Sequence, residues 1–212
     1  MDKNAYLRGI YAITDPALCP ADLLLGNVES ALRGGARLIQ YRDKPATPEQ
    51  RLSRALALLT LCEQYDALLI INDDLDLCLQ VHAHGLHLGR SDGDIAAARK
   101  ALGPDCVLGV TCHSDLAYAL EAKELGADYC AFGRLFDSNT KPDAPPCPLD
   151  VLVQARQLGL CTVAIGGINV DNAGLVWRSG ADMIAVIHGI FGQPDIENSV
   201  RRLAPPASDS VR

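Results

Sequence analysis

The chain has 212 residues, 49% of them apolar and 21% charged, with a formal net charge of −7. That is an ordinary globular balance for one domain with a sizeable core, at the short end for an eight-fold barrel. The acidic charge argues against a general nucleic-acid surface, and no apolar run approaches the ~20 residues needed to cross a bilayer. With no signal-peptide h-region after Met1, a cytoplasmic protein is expected. Eight cysteines, at positions 19, 62, 78, 106, 112, 130, 147 and 161, form no Cys-x-x-Cys pair. Several fall inside apolar patterns, so they read as buried reduced thiols rather than disulfides or a metal site.

Strand-like and helix-like patterns alternate along the chain, which predicts a parallel sheet covered by helices. Residues 8–14 read as the first strand and 22–33 as the first helix, stopped by Gly34-Gly35. Residues 36–41 form the second strand, after which Thr47 caps a long helix with Glu49 and Gln50 in its first turn. Leu52, Leu56, Leu59 and Cys62 set out its apolar stripe. The third unit is a strand at 67–71 with a short helix at 74–81, and the fourth a strand at 85–88 with a helix at 95–102. Residues 106–110 make the fifth strand, with Ser114 as N-cap of a helix ending at Gly126. A sixth strand at 128–133 leads into a proline-rich irregular stretch, 134–148, of a length that is usually functional or disordered. Strand 161–165, helix 170–179, strand 182–187 and helix 196–203 complete eight units. The expected fold is a single (β/α)8 TIM barrel over 1–204, with 205–212 as a disordered tail.

Polar signatures stand at the ends of these apolar runs: Gln40-Tyr41-Arg42-Asp43-Lys44, Asn72-Asp73-Asp74, His87-Leu88-Gly89-Arg90-Ser91-Asp92, Ser138-Asn139-Thr140-Lys141 and Gly166-Gly167-Ile168. One site assembled from many strand ends is how a barrel builds an active site at its C-terminal face. Asp73 and Asp92 fall at the ends of adjacent strands, which run ~4.8 Å apart, so the two carboxylates can share a cation. A few carboxylates completed by substrate phosphate is the usual Mg²⁺ arrangement. A plain helix cap is the competing reading of Asp73 and Asp74.

Arg42 and Lys44 share a parity and suit phosphate contact, unless they merely form a surface pair with Asp43. Arg90, Arg134 and Lys141 also follow strands, so a basic site in an acidic protein points to a small anionic ligand. Gly166-Gly167 and His188-Gly189 fall where barrels bind phosphate through backbone N–H groups. His82, His84 and His87 are spaced over both faces of a strand, which argues against a metal cluster. His113 suits either a proton carrier or a structural role.

With these residues assembled, the chain resembles the thiamine-phosphate synthase family from Leu7 to about Arg202. The resemblance rests on Tyr11-Ala12-Ile13-Thr14-Asp15, Gln40 to Lys44, Ile71-Asn72-Asp73-Asp74, Thr140-Lys141 and Ala164 to Ile168. It implies a (β/α)8 barrel that joins 4-amino-2-methyl-5-hydroxymethylpyrimidine diphosphate to a thiazole phosphate or its carboxylated form. The products would be thiamine phosphate and pyrophosphate, with Mg²⁺ as cofactor. By the same resemblance, Gln40, Tyr41, Arg42, Asp43 and Lys44 would hold the pyrimidine diphosphate, with Asn72 and Lys141 assisting and Thr111 beside the ring. Asp73 and Asp92 would ligate Mg²⁺, while Ser138, Asn139, Thr140, Gly167, Ile187 and His188 would receive the thiazole phosphate. Arg42, Lys44 and Lys141 would carry the catalytic charge. Partners are small molecules, not nucleic acid or membrane, and a homo-oligomer is left open.

Arg90, Ser138 and His188 depart from the commoner pattern, where glutamine, threonine and serine are frequent. A thiazole tautomerase of the same fold would need a proton shuttle such as His113 and leaves the basic and acidic set unexplained. A sugar-phosphate isomerase accounts only for the last two loops, and a silent thiamine-phosphate binder needs no metal. Under the synthase reading, Lys141→Ala loses about 1.5–3 kcal/mol, the scale of one charge-assisted hydrogen bond. That is roughly ten- to a hundred-fold in rate. An unchanged rate at both limiting and saturating substrate would remove Lys141 from the site.

Overall fold

Eight apolar runs become parallel strands that close on themselves in chain order. They are β1 (Gly9–Ile13), β2 (Leu38–Tyr41), β3 (Leu68–Asn72), β4 (Gly85–Leu88), β5 (Val107–His113), β6 (Tyr129–Phe132), β7 (Thr162–Ile165) and β8 (Met183–Val186). Strand β1 pairs with β2 on one side and β8 on the other, which completes the TIM barrel. This computed structural model describes residues 3–137 and 145–206. Ser138, Asn139, Thr140 and Lys141, and the tail from 207, therefore lie outside the described residues.

The helices between the strands are α1 (Leu24–Arg33), α2 (Pro48–Gln64), α3 (Leu75–Val81), α4 (Ile95–Leu102) and α5 (Leu116–Glu124). After the long loop come α6 (Asp150–Gln157), α7 (Ala173–Arg178), the one-turn α8 (His188–Phe191) and α9 (Ile196–Leu203). No helix among the described residues is long and apolar enough to cross a membrane.

Both faces of each strand are dry, as parallel sheets require, so the strands read as continuous apolar runs. The lumen holds Tyr11, Leu38, Leu68, Ile70, Tyr129, Val163 and Met183. The alternate residues Ile10, Ala12, Ile39, Leu69, Ile71, Leu86 and Leu108 pack outward under the helices. All eight cysteines are free thiols, and six of them are buried. Burial pushes the Cys62 thiol up to about 12, so it stays protonated at neutral pH.

Thr47 caps α2 as expected, accepting from the Gln50 N–H at 3.3 Å while the Gln50 side chain accepts from the Thr47 N–H at 3.0 Å. Of the expected apolar stripe of α2, Leu52, Leu59 and Cys62 pack in or against the core, and only Leu56 departs. Ala55, Leu58 and Cys62 are buried, whereas Leu56 is 46% exposed. At α5 the cap is Asp115, which accepts from the Tyr118 N–H at 3.0 Å, rather than Ser114. The cause is β5, which runs on to His113 and carries Ser114 in the turn. Helices α6 and α8 lie in stretches that the sequence pattern did not resolve.

At the N-terminal end of the barrel, Asp128 accepts from the Leu108 N–H at 2.8 Å and pairs with Arg99 at 2.6 Å and Lys3 at 2.8 Å. Asp182 accepts in the same way from the Thr162 N–H and hydroxyl. These carboxylates fasten strand starts, at the end of a barrel where polar groups serve stability.

Gly109 on β5 lies under the Tyr129 ring, and a Cβ there would sit 1.9 Å from the ring's Cζ. Gly109→Ala should therefore cost about 1–3 kcal/mol through overpacking. Urea unfolding reads this as a lower midpoint at constant slope; an unchanged midpoint would mean that the ring is free to move.

Candidate functional site

The C-terminal strand ends enclose a cavity of about 370 Å³ to which all eight strand ends contribute. Its polar wall is Gln40, Arg42 and Lys44 from the end of β2, Asn72 and Asp73 from β3, and His87 and Asp92 from β4 and its loop. Thr111, His113 and Arg134 continue the wall past β5 and β6. Gly166, Gly167, Ile187, His188 and Gly189 close it from β7 and β8. The apolar part includes Ile13, Ala131, Val163, Ile165 and Ala185.

The run after β2 keeps the alternation of the strand. Gln40, Arg42 and Lys44 face the cavity, while Tyr41 and Asp43 line a neighbouring depression with Arg51 and Asp74, which Lys44 also borders. The Asp43 carboxylate sits 2.5 Å from the Arg54 guanidinium and accepts from the Tyr41 hydroxyl at 3.2 Å. Its partner is therefore Arg54, and neither Arg42 nor Lys44 is tied up by it. The Arg42 N–H donates to the Thr14 hydroxyl at 3.0 Å, and its guanidinium lies 3.9 Å from Asp15.

Asp73 and Asp74 divide two roles between them. Asp74 is the N-cap of α3, accepting from the Leu77 N–H at 3.0 Å. Asp73 lines the cavity in a left-handed conformation, φ 63°, which aspartate tolerates better than most residues. One Asp73 oxygen accepts from the Asn72 amide at 2.6 Å and lies 3.4 Å from the Lys44 ammonium. His113, also on the cavity wall, is left-handed at φ 55°. Asp92 folds back over Gly89: a Cβ on Gly89 would lie 2.0 Å from the carboxylate oxygen, so any larger residue there would displace the Asp92 side chain.

The donor set fits Mg²⁺. Among the described residues no three His, Cys, Asp or Glu side chains are grouped to hold a metal by themselves. Two carboxylates at one mouth leave the remaining positions to water and to phosphate oxygens, as Mg²⁺ prefers.

After β7, Gly166 and Gly167 have φ 104° and 65°, and a Cβ on Gly167 would strike the Asp137 carbonyl at 2.3 Å. The backbone of this loop thus presses on the loop after β6, a close approach that glycine alone permits. The Asn172 amide donates to the Gly167 carbonyl at 2.9 Å, and the Gln193 amide to the His188 carbonyl at 3.1 Å. Ile187 is the N-cap of α8, and His188 opens it.

Two expectations are corrected here. Arg90 leaves the cavity: its guanidinium lies 2.9 Å from Asp115 and 4.4 Å over the Tyr118 ring. Its replacement of the frequent glutamine therefore serves the α5 cap and adds no charge to the site. The three neighbouring histidines, expected on both faces of one strand, do not share it: only His87 falls in β4. His82 ends α3, the His84 Nδ1 accepts from the Leu69 N–H at 3.0 Å, and His87 enters the lumen.

Sequence reasoning missed Tyr11, His87 and Tyr129, which hold the cavity floor. The Gln40 amide donates to the Tyr11 hydroxyl at 2.7 Å, which lies 2.8 Å from the Tyr129 hydroxyl. Tyr129 in turn lies 3.0 Å from the His87 Nδ1, and the His87 Nε2 lies 2.8 Å from the Thr111 hydroxyl. Burial pushes both phenols well up, so they remain protonated at neutral pH. Their signal was strand parity: each is an inward position whose polar tip needs a partner.

The profile of the thiamine monophosphate synthase family matches residues 10–190. Thiamine-phosphate synthase of Alcanivorax borkumensis is 55% identical over 202 residues, covering 93% of each chain. The Marinobacter nauticus thiamine-phosphate synthase is 53% identical over 191 residues, 89% of this chain and 86% of that one. Among solved structures, thiamine phosphate pyrophosphorylase from Pyrococcus furiosus superposes with a TM-score of 0.85 at 36% identity, covering 95% of this chain and 96% of its own. The chain therefore belongs to the thiamine-phosphate synthase family, transferases of thiamine biosynthesis.

Proposed function

We propose that this cavity joins a pyrimidine methyl diphosphate to a thiazole phosphate, giving thiamine phosphate and pyrophosphate by a dissociative route. The observation that carries the reading is Arg42, Lys44, Asp73 and Asp92 around one mouth, with the glycine-rich ends of β7 and β8 across the barrel. A tautomerase, a sugar-phosphate isomerase or a silent binder has no use for that combination.

Arg42 and Lys44 bind the diphosphate, the arginine as a planar fork and the lysine as a mobile point charge. Asp73 and Asp92 would hold Mg²⁺, which when bound would supply further positive charge beside the diphosphate. Gln40 and Thr111 orient the pyrimidine at the cavity floor. Gly167 and the Ile187–His188 backbone take the thiazole phosphate, assisted by the hydroxyls of Ser138 and Thr140 and the amide of Asn139. Lys141 adds charge to the diphosphate.

The bond from the methylene carbon to the diphosphate oxygen breaks, and its electron pair leaves with pyrophosphate. The aminopyrimidine ring delocalises the methylene cation until the thiazole nitrogen lone pair forms the new C–N bond. No proton moves, so the step needs charge stabilisation and positioning rather than a protein base or nucleophile. A site with cations and carboxylates but without a Ser-His-Asp or Cys-His group suits that chemistry. His113 then has no obligatory proton to carry.

Pyrophosphate release by the purified chain, with each substrate and Mg²⁺ omitted in turn, tests the reading. Equal amounts of thiamine phosphate and pyrophosphate, dependent on all three, are expected; no turnover by the folded chain overturns it. Asp92→Asn should raise the Mg²⁺ concentration for half-maximal rate by roughly tenfold or more, because an amide replaces one of two charged ligands. An unaltered magnesium titration would take Asp92 out of the metal site.

A further inference from the structure

The polar chain across the cavity floor is longer than substrate contact requires. It links Gln40 on β2, Tyr11 on β1, Tyr129 on β6, His87 on β4 and Thr111 on β5 through four side-chain hydrogen bonds of 2.7–3.0 Å. Tyr129 does not line the cavity, and its ring is fully buried, edge-on to Tyr11 and stacked on His87 at 5.7 Å. We propose that Tyr129 and His87 are positioning residues that set the hydrogen-bond polarity of the pyrimidine site, making the Thr111 hydroxyl a donor into the cavity. The proposal rests on the reading that the pyrimidine lies against Gln40 and Thr111.

The polarity follows from counting protons. The Tyr11 oxygen accepts from the Gln40 amide N–H, so the Tyr11 proton needs an acceptor of its own. Among the described residues the Tyr129 oxygen, at 2.8 Å, provides it. Run the other way, Tyr11 would accept twice and leave its own buried proton without a described partner, the costly arrangement for a donor away from water. Tyr129, having accepted, donates to the His87 Nδ1. A neutral imidazole that accepts at Nδ1 carries its proton on Nε2, and that N–H donates to the Thr111 oxygen. The Thr111 hydroxyl has then accepted from the protein, and its proton is directed to the cavity it lines.

At the other end the Gln40 amide spends an N–H on Tyr11, which turns its carbonyl oxygen into the group offered to a ligand. The floor therefore presents one acceptor, from Gln40, and one donor, from Thr111. A heterocycle with an amino donor and an unprotonated ring nitrogen matches this pair. A 4-oxo pyrimidine, with carbonyl and ring N–H, presents the inverse pattern and would leave both protein groups unpaired.

The tautomer is readable in the free protein. With ¹⁵N-labelled histidine and His87→Gln to assign the resonance, the wild-type His87 ring should show an acceptor Nδ1 and a protonated Nε2. Tyr129→Phe should mix the two tautomers and raise KM for the pyrimidine diphosphate about three- to tenfold, leaving KM for the thiazole phosphate unchanged. Most of that loss should vanish in a Thr111→Val background. A protonated Nδ1 or a doubly protonated ring in the wild type overturns the proposal. So does a Tyr129→Phe effect that adds in full to that of Thr111→Val. Turnover is not needed for the tautomer readout. A chain that makes no thiamine phosphate overturns the reaction, whereas an active chain with the wrong His87 tautomer overturns only the relay.

Discussion

Closing eight parallel strands into a barrel gives every strand two buried faces, one in the lumen and one under the helices. Dry surroundings on both sides admit few polar side chains, so polar groups collect where the strands run out. In this chain the C-terminal ends carry Gln40, Arg42, Asn72, Asp73, Thr111 and the glycine pair Gly166-Gly167 toward one cavity. The N-terminal ends instead carry Asp128 and Asp182, whose carboxylates tie strand starts to one another. Both sets arise from the same closure, yet one is consumed by backbone N–H groups and the other stays turned toward the cavity.

Strand parity is the finer form of that constraint. A side chain one residue along from an inward position faces the helices, whatever its chemistry. Gln40, Arg42 and Lys44 thus reach the cavity, while Tyr41 and Asp43, between them, meet Arg54 instead. The lumen positions below the cavity are apolar except where Tyr11, Tyr129 and His87 meet, and there hydrogen bonds join the tips into one chain. Apolar packing around that chain strengthens each bond and penalises any break in it.

The fold was legible because periodicity and punctuation agreed. Apolar runs of strand length alternated with helical patterns in every unit but the sixth, and β4 and α4 fell within the expected bounds to the residue. The site was legible at the strand ends, where charge after an apolar run stands out. What stayed hidden depended on tertiary geometry. Nothing in the sequence says that Arg90 would prefer the Asp115 carboxylate and the Tyr118 ring to the cavity. Nor does the spacing Leu52-Leu56-Leu59-Cys62 reveal that Leu58 is buried while Leu56 is not. Tyr11 and Tyr129 read as core aromatics, which they are; only the distance between their hydroxyls reveals the polar chain.

The Lys44–Asp73 pair shows how such a site can be both ordered and ready to change partners. The lysine is 62% exposed and its ammonium lies 3.4 Å from the carboxylate, an ion pair of the kind that contributes about 0–1 kcal/mol. Breaking it therefore costs little, and neither charge is committed to the other. The same Asp73 oxygen accepts from the Asn72 amide, so its position does not depend on the lysine alone. The less exposed Arg99–Asp128 pair, reinforced by the Leu108 N–H, has no such freedom. The loosely held pair thus stands at the cavity mouth, and the more buried, backbone-anchored one at the base of the barrel.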